Sequence, residues 1–251
     1  DHDRTCAHND SSVAMNRLTV WGIEGIGEIK PGDQLGEIIV ESCRSEPNGP
    51  LLDNDVVVVT QKIVSKAEGR LVQIDPDDPV SHKQLVEDEA VRIVRRRGDL
   101  IITETKHGFV CANSGIDLSN VEHGYAALLP IDSDRSARRI RDIIFAQLNV
   151  RVGVIVSDTF GRPWRNGLTD VAIGVAGIAG VVDLRGTPDA TGRIMSVTEV
   201  AVADELAGTG ELVMGKSYGI PVAIVRGADA SWFRDSSIKE IVRNPQEDLF
   251  R

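Results

Sequence analysis

A chain of 251 residues, 41% hydrophobic and 26% charged, is large enough to bury a core without help from disulfides or metal. Its formal net charge of −10 argues against a nucleic-acid partner or an anionic membrane surface, since both would repel it. The longest apolar stretch, VAIGVAGIAGVV at 171–182, is broken by glycine and falls short of the ~20 residues a bilayer requires.

In chain order, residues 1–14 (DHDRTCAHNDSSVA) are polar and aperiodic and read as a disordered leader. His2 and His8 then lie in a solvated tail, Met15 is a candidate start, and residues 15–251 form one domain. Cys6, Cys43 and Cys111 are odd in number and lack C-x-x-C spacing, so neither a disulfide framework nor a zinc site is expected, and a reducing cytoplasm fits. LTVWGI (18–23) reads as a strand. GIEGIGE (22–28) reads as a turn, because its glycines are wrongly spaced for a dinucleotide loop and no helical pattern follows.

DVVVVTQKIV (55–64) is rich in β-branched residues and reads as a buried strand. Just beyond, TQKIVSKAEGR carries Lys62, Lys66 and Arg70, which suit either phosphate oxygens or a solvated face. DPDDPVS (75–81) is an exposed turn. SHKQLVEDEAVRIVRRR (81–97) predicts a helix with Ser81 as N-cap and a basic end before Gly98.

LIITET (100–105) and GFVCAN (108–113) read as strands. CANSGIDLSNV (111–121) follows them, where Asp117 and Asn120 offer a cation ligand and a polar amide, or merely an Asx-turn. SARRIRDIIFAQLN (136–149) predicts a helix with Ile140, Ile143, Ile144 and Leu148 on one face.

VGVIVS (152–157) reads as a strand that ends at SDTFGRPWRNG. Asp158 and Thr159 there can supply two oxygen ligands to a hard cation, or cap a helix. Arg162 and Arg165 add local positive charge. Gly174, Gly177 and Gly180 recur every third residue, which favours close packing over phosphate binding. EVAVADELAG (199–208) predicts a third helix and PVAIVRG (221–227) a last strand. Strands and helices without a regular β-α-β rhythm predict an α+β fold of mixed sheets with flanking helices. There is no P-loop, nucleophile elbow or zinc helix in the sequence.

Taken together, VVVVTQKIVSKAEGRLV, LVEDEAVRIV, ANSGIDLSNV, VIVSDTFGRPWRNGLTDVAIG, VTEVAVADELA and GIPVAIVRG resemble the coenzyme F420-0:γ-glutamyl ligase family. The likeness includes the ligase half of two-domain actinobacterial proteins and runs in order across most of residues 17–250. It implies a two-part α+β fold in a homodimer, and a GTP-dependent ligase that adds L-glutamate to coenzyme F420-0, or a dehydro precursor, and then γ-linked glutamates. Non-catalytic GTP or deazaflavin binding and metal-dependent phosphohydrolysis are the competing readings of the same residues.

The resemblance places one or two divalent ions, Mg²⁺ or Mn²⁺, on Asp117, Asp158 and Thr159, with K⁺ as a further candidate ion. It places GTP on Glu24, Gly25, Ile26 and Gly27, on Lys66 and Asn120, and on the segment MGKSYGIP through Gly215 and Lys216. Gln61, standing where relatives often carry serine, is a further candidate contact to GTP. Lys66, Asp158, Arg162 and Arg165 are the candidate catalytic residues.

Overall fold

The computed structural model describes residues 17–78 and 80–249. The predicted leader, with His2, Cys6 and His8, lies outside the described residues. The main sheet runs in the order β1 (Thr19–Gly22), β12 (Val222–Arg226), β2 (Val56–Thr60), β8 (Gly153–Arg162) and β9 (Arg165–Ala176). Only β2 and β8 are parallel; the other neighbours are antiparallel.

The remaining elements in chain order are α1 (Leu35–Arg44), α2 (Gln61–Ala67), β3 (Leu71–Gln73), α3 (Lys83–Glu89), β4 (Ala90–Arg97), β5 (Leu100–Thr105), β6 (Val110–Ala112), β7 (Tyr125–Ala127), α4 (Ser133–Leu148), β10 (Val182–Asp183), β11 (Glu199–Val200) and α5 (Val202–Met214). Strands β4, β5 and β6 form a small antiparallel sheet, and β3 pairs with β7, as β10 does with β11. No helix among the described residues is long and apolar enough to cross a membrane.

The unbroken valine run of β2 reflects burial on both faces of the main sheet. Val57, Val59, Val154, Val156 and Ile224 join a core with Leu35, Ile39 and Val40 of α1 and Ala137, Ile140 and Ile144 of α4. Val56, Val58, Ile155, Val175 and Val225 join a second core with Ala203, Leu206, Ala207 and Met214 of α5. Helix α4 is capped by Asp132, whose side chain accepts from the Arg135 amide at 2.8 Å, and it ends at Asn149 in the left-handed region. The mixed sheets with flanking helices are those expected from the sequence.

Several elements differ from the sequence reading. The strand expected over 55–64 stops at Thr60, and its second half is α2, whose Ile63 and Val64 turn back onto the core. The helix expected over 81–97 is α3 only as far as Glu89; the rest is β4. Ile93 and the arginines of β4 pair with β5 across a two-residue turn at Gly98-Asp99, with Gly98 at φ 59, while β-branched Val91 and Val94 fall at irregularities of the register. The strand expected to end at Ser157 continues to Arg162 and pairs with β9 throughout. Helix α5 begins three residues later than expected and extends to Met214. The amphipathic α1 was not anticipated.

Close packing accounts for Gly174. A Cβ there would lie 2.5 Å from the Ser133 carbonyl carbon and 2.6 Å from its oxygen, so β9 and the start of α4 can touch only without a side chain. Gly174→Ala is expected to cost about 1–3 kcal/mol through overpacking. Urea unfolding would show a lower midpoint at unchanged slope; an unshifted midpoint would mean that α4 can move away freely.

Candidate functional site

Strand direction gathers four separate sequence segments at one edge of the main sheet. Because β2 and β8 are parallel, both deliver their carboxyl ends there, with Thr60 opposite Ser157. β12 runs the other way, so the loop that leads into it arrives at the same edge, where the Thr60 amide donates to Pro221 O at 3.0 Å. β1 is antiparallel to β12, so Ile23 and the Glu24–Gly27 turn leave from it too, with the Ile23 amide on Val222 O at 2.8 Å. Ligands commonly bind outside the carboxyl ends of parallel strands, and here every neighbouring loop is present as well.

Asp117 reaches this edge from the small-sheet side of the molecule. Asn113, Ser114 and Gly115 all have positive φ, and a Cβ on Gly115 would meet Leu129 at 2.9 Å, so the N-S-G sequence suits this turn. Ser114 is buried and donates to Val86 O at 2.8 Å, which fixes the turn to the end of α3. Asp117 then exchanges backbone hydrogen bonds with Ala127. Its side chain accepts from the Ser119 amide at 2.7 Å and pairs with Lys62 Nζ at 2.8 Å. Burial pushes the Asp117 carboxyl up, but the Lys62 and Ser119 hydrogen bonds outweigh it and hold it below the usual range.

Asp158 and Thr159 are adjacent on β8 and therefore point to opposite faces of the sheet. Asp158 falls on the face of Val156 and Phe160, toward Asp117. Burial raises its carboxyl to about 7; the Thr159 amide, at 2.8 Å, works against the rise, and the negative charges of Asp117 and Asp170 add to it. Burial, with Asp158 adding to the effect, also raises the Cys111 thiol to about 12, so that cysteine is no thiolate nucleophile or ligand at neutral pH.

Thr159 falls on the face of Ile155 and α5. A one-residue irregularity between Val156 and Ser157 shifts the β9 register so that Thr159 lies opposite Asp170. Without that shift its neighbour would be Val171. Asp170 is 3% exposed and accepts from Ser157 Oγ at 3.0 Å, Thr159 Oγ1 at 2.6 Å and Lys216 Nζ at 2.9 Å. Lys216 also reaches Thr159 Oγ1 at 2.6 Å and Glu211 at 2.7 Å. Burial disfavours its charged form, but the hydrogen bonds to Glu211 and Asp170 outweigh that and hold the ammonium above the usual lysine value.

The site thus has two acidic halves, Asp117 with Asp158 and Asp170 with Thr159, each holding a lysine ammonium. Among the described residues no group of three or more His, Cys, Asp or Glu forms a closed metal cage. Two carboxylates or a carboxylate and a hydroxyl per half, all hard oxygen donors, suit a divalent ion that takes its other ligands from water and phosphate. The lysines satisfy the same negative charge.

The other residues singled out in the sequence are distributed as follows. Lys66 is buried in α2 and pairs with Glu28 at 2.5 Å, beside the Glu24–Gly27 turn. Gly25 has φ 75, and nothing lies within 4 Å of where a Cβ on Gly25 or Gly27 would be, so their backbone faces open space. Ile26 packs on the core. Asn120, at φ 52, donates to Lys216 O at 3.4 Å and so ties the Asp117 turn to the MGKSYGIP segment. Gly215 has φ 59, and a Cβ there would lie 2.5 Å from the Tyr218 ring. Gln61 is buried, donating to Ser65 Oγ at 2.6 Å and Leu128 O at 3.1 Å, so its amide faces the protein interior.

Arg162 and Arg165 sit at the tip of the β8–β9 hairpin, opposite each other, and Arg162 donates to Asn166 O at 2.8 Å. Arg162 is four residues from Asp158, or roughly 13 Å along an extended strand. The structure therefore does not bring these arginines to the carboxylates. Asp170 and Glu211 were not singled out in the sequence, and the signal for Asp170 is the hairpin register, which needs the tip to be placed at Pro163-Trp164.

Residues 24–227 match the family described as F420-0:Gamma-glutamyl ligase. The chain is 40% identical over 250 residues to the coenzyme F420:L-glutamate ligase of Methanothermobacter thermautotrophicus, covering 93% of this chain and 99% of that protein. It is 41% identical over 254 residues to the protein of the same name from Methanocaldococcus jannaschii, covering 94% and 97%. The Methanopyrus kandleri protein of that name is 40% identical over 242 residues, covering 89% and 94%.

The raised Asp158 carboxyl has a sign that stability measurements can read. The folded chain holds a proton there up to about pH 7, whereas an unfolded aspartate releases it near 3.8, so the ionised group opposes folding in full above pH 7 and not at all below pH 3.8. In chelator-treated protein Asp158→Asn is expected to be more stable than the parent at pH 8, on the order of 1–3 kcal/mol, with the advantage gone near pH 4. A thermal-melting series across pH would show this convergence, and a pH-independent difference would contradict it.

Proposed function

The chain belongs to the F420-0:γ-glutamyl ligase family, and from that premise we propose that it is an acid–amino-acid ligase. In this reading it joins L-glutamate to the lactyl carboxylate of coenzyme F420-0, or a dehydro precursor, and then adds γ-linked glutamates. GTP phosphorylates the acceptor carboxylate, the glutamate amine attacks the acyl phosphate, and GDP and phosphate leave. The observation that carries it is the gathering of Asp117, Asp158, Thr159 and the phosphate-seeking lysines at one sheet edge in a chain so similar to proteins named as F420:L-glutamate ligases.

Each half of the site has a role in that chemistry. Asp117 and Asp158 would hold one Mg²⁺ or Mn²⁺, and Thr159 with Asp170 a second. Bound there, such ions offset the charge of the triphosphate and of the transferred phosphoryl group. Lys62 and Lys216, freed from their carboxylates, are then positioned to meet phosphate oxygens as point charges. Lys66 lies beside the Glu24–Gly27 turn, whose open backbone allows a nucleotide to approach closely. Asn120 links the two loops that would enclose it. We infer further that the protein works as a cytoplasmic homodimer, a state that sedimentation would read directly.

The test separates ligation from its alternatives. With purified protein, GDP release is expected to require both glutamate and F420-0, and mass spectrometry of the coenzyme is expected to show glutamate mass increments. Release without either substrate would mean a phosphohydrolase, and binding without release a sequestering protein. Asp158→Asn and Asp170→Asn are each expected to lower turnover about 100-fold or more, equivalent to about 2.7 kcal/mol of transition-state stabilisation. Each is also expected to reduce the Mn²⁺-induced rise in melting temperature; near-normal turnover in a folded variant would remove that residue from the site.

A further inference from the structure

A second concentration of chemistry lies between the hairpin tip and the small sheet. Strand β4 carries four arginines, Arg92, Arg95, Arg96 and Arg97, in a chain of net charge −10. Arg92 pairs with Glu104 at 3.1 Å and Arg96 with Glu87 at 2.8 Å. Among the described residues Arg95 and Arg97 have no acidic partner. Both line an open pocket of about 710 Å³ together with Leu100, Ile102, Pro163 and Trp164.

Trp164 is 83% exposed and has φ 58, an unfavourable backbone for a bulky side chain. Pro163 before it has the fixed φ that a two-residue turn of this pattern uses, and glycine would be the unstrained choice at position 164. Strain of this kind collects where a side chain must be presented. An indole face, two aliphatic side chains and two unpaired guanidiniums form a recognition set for a flat aromatic ring attached to an acidic group.

We propose that this pocket seats the deazaflavin end of the acceptor substrate, with the ring against Trp164 and the phosphodiester at Arg95 and Arg97. The proposal rests on the ligase reading above and assigns that site its acceptor arm. Trp164 is six residues beyond Asp158, or roughly 20 Å at most along the strand. A long acceptor laid along β8, with its ring at the tip, brings its lactyl carboxylate back toward Asp158. Arg162 lies on the way, on the same hairpin.

The experiment uses full-length protein, F420-0 as probe, and the variants Arg95→Ala/Arg97→Ala and Trp164→Leu, all at exposed positions. The expected result is a KM for F420-0 raised at least about tenfold in the double variant, with kcat and the KM for GTP little changed. Trp164→Leu is expected to lose most of the quenching of protein fluorescence by F420-0. The free ribityl deazaflavin, which has no phosphate, is expected to bind the parent and the arginine variant equally. If the parent ligates and both variants keep its KM for F420-0, the ligase reading stands and this seat is overturned. If that unchanged KM comes with a fall from dimer to monomer in sedimentation, the face is a subunit interface and the seat is likewise overturned. If the parent forms no glutamylated product, the ligase reading fails and the proposal with it.

Discussion

The parallel pairing of β2 with β8 is the constraint from which the site follows. A parallel neighbour cannot be reached by a tight turn, so the chain must cross over before it returns. Here the crossover occupies residues 61–152 and contains α2, the small sheet, the Asp117 turn and α4. It therefore begins with Lys62 and Lys66, carries Asp117 back to within 2.8 Å of Lys62, and ends by feeding β8 toward Asp158. Antiparallel β12 and β1 complete the edge with Lys216 and the Glu24–Gly27 turn.

Electrostatics at that edge oppose stability at one carboxylate. Burial raises the Asp158 carboxyl, and the charges of Asp117 and Asp170 add to the rise. Lys62 and Lys216 compensate the two halves from different elements, one on α2 and one after α5. Elsewhere the same chemistry is purely structural. Arg226 makes a two-pronged pair with buried Asp55 at 2.7 and 2.8 Å, reaches the carbonyls of Asn48 and Pro50, and lies over the Trp21 ring. That cluster closes the opposite end of β12, and in it the buried carboxylate and its guanidinium satisfy each other.

The sequence showed the buried strands best, because valine runs bounded by turn residues have few other homes. It showed Asp117 on a polar turn and put Asp158 at a strand exit, whereas Asp158 lies inside β8, and it did not show that the two face the same edge. Residues 90–97 were misread because aliphatic and basic residues in that order satisfy a helical pattern as readily as an edge strand, and Gly98-Asp99 decides the matter only once recognised as a hairpin turn. Asp170 was invisible because its importance comes from a cross-strand register set by one irregular residue. Lys216 was placed through family likeness; its contacts with Thr159 and Asp170 depend on how α5 ends at Gly215.

The β8–β9 hairpin also acts as a measuring device. Its strands are hydrogen-bonded from Val154 to Arg162, and its tip is only Pro163-Trp164, so the separation between the carboxylate edge and the tip is counted out in residues. A single inserted residue in β8 would turn every following side chain to the other face of the sheet. Selection on what the molecule accepts can then vary side chains at the tip, but the length of the arm is locked to the same register that brings Thr159 and Asp170 together.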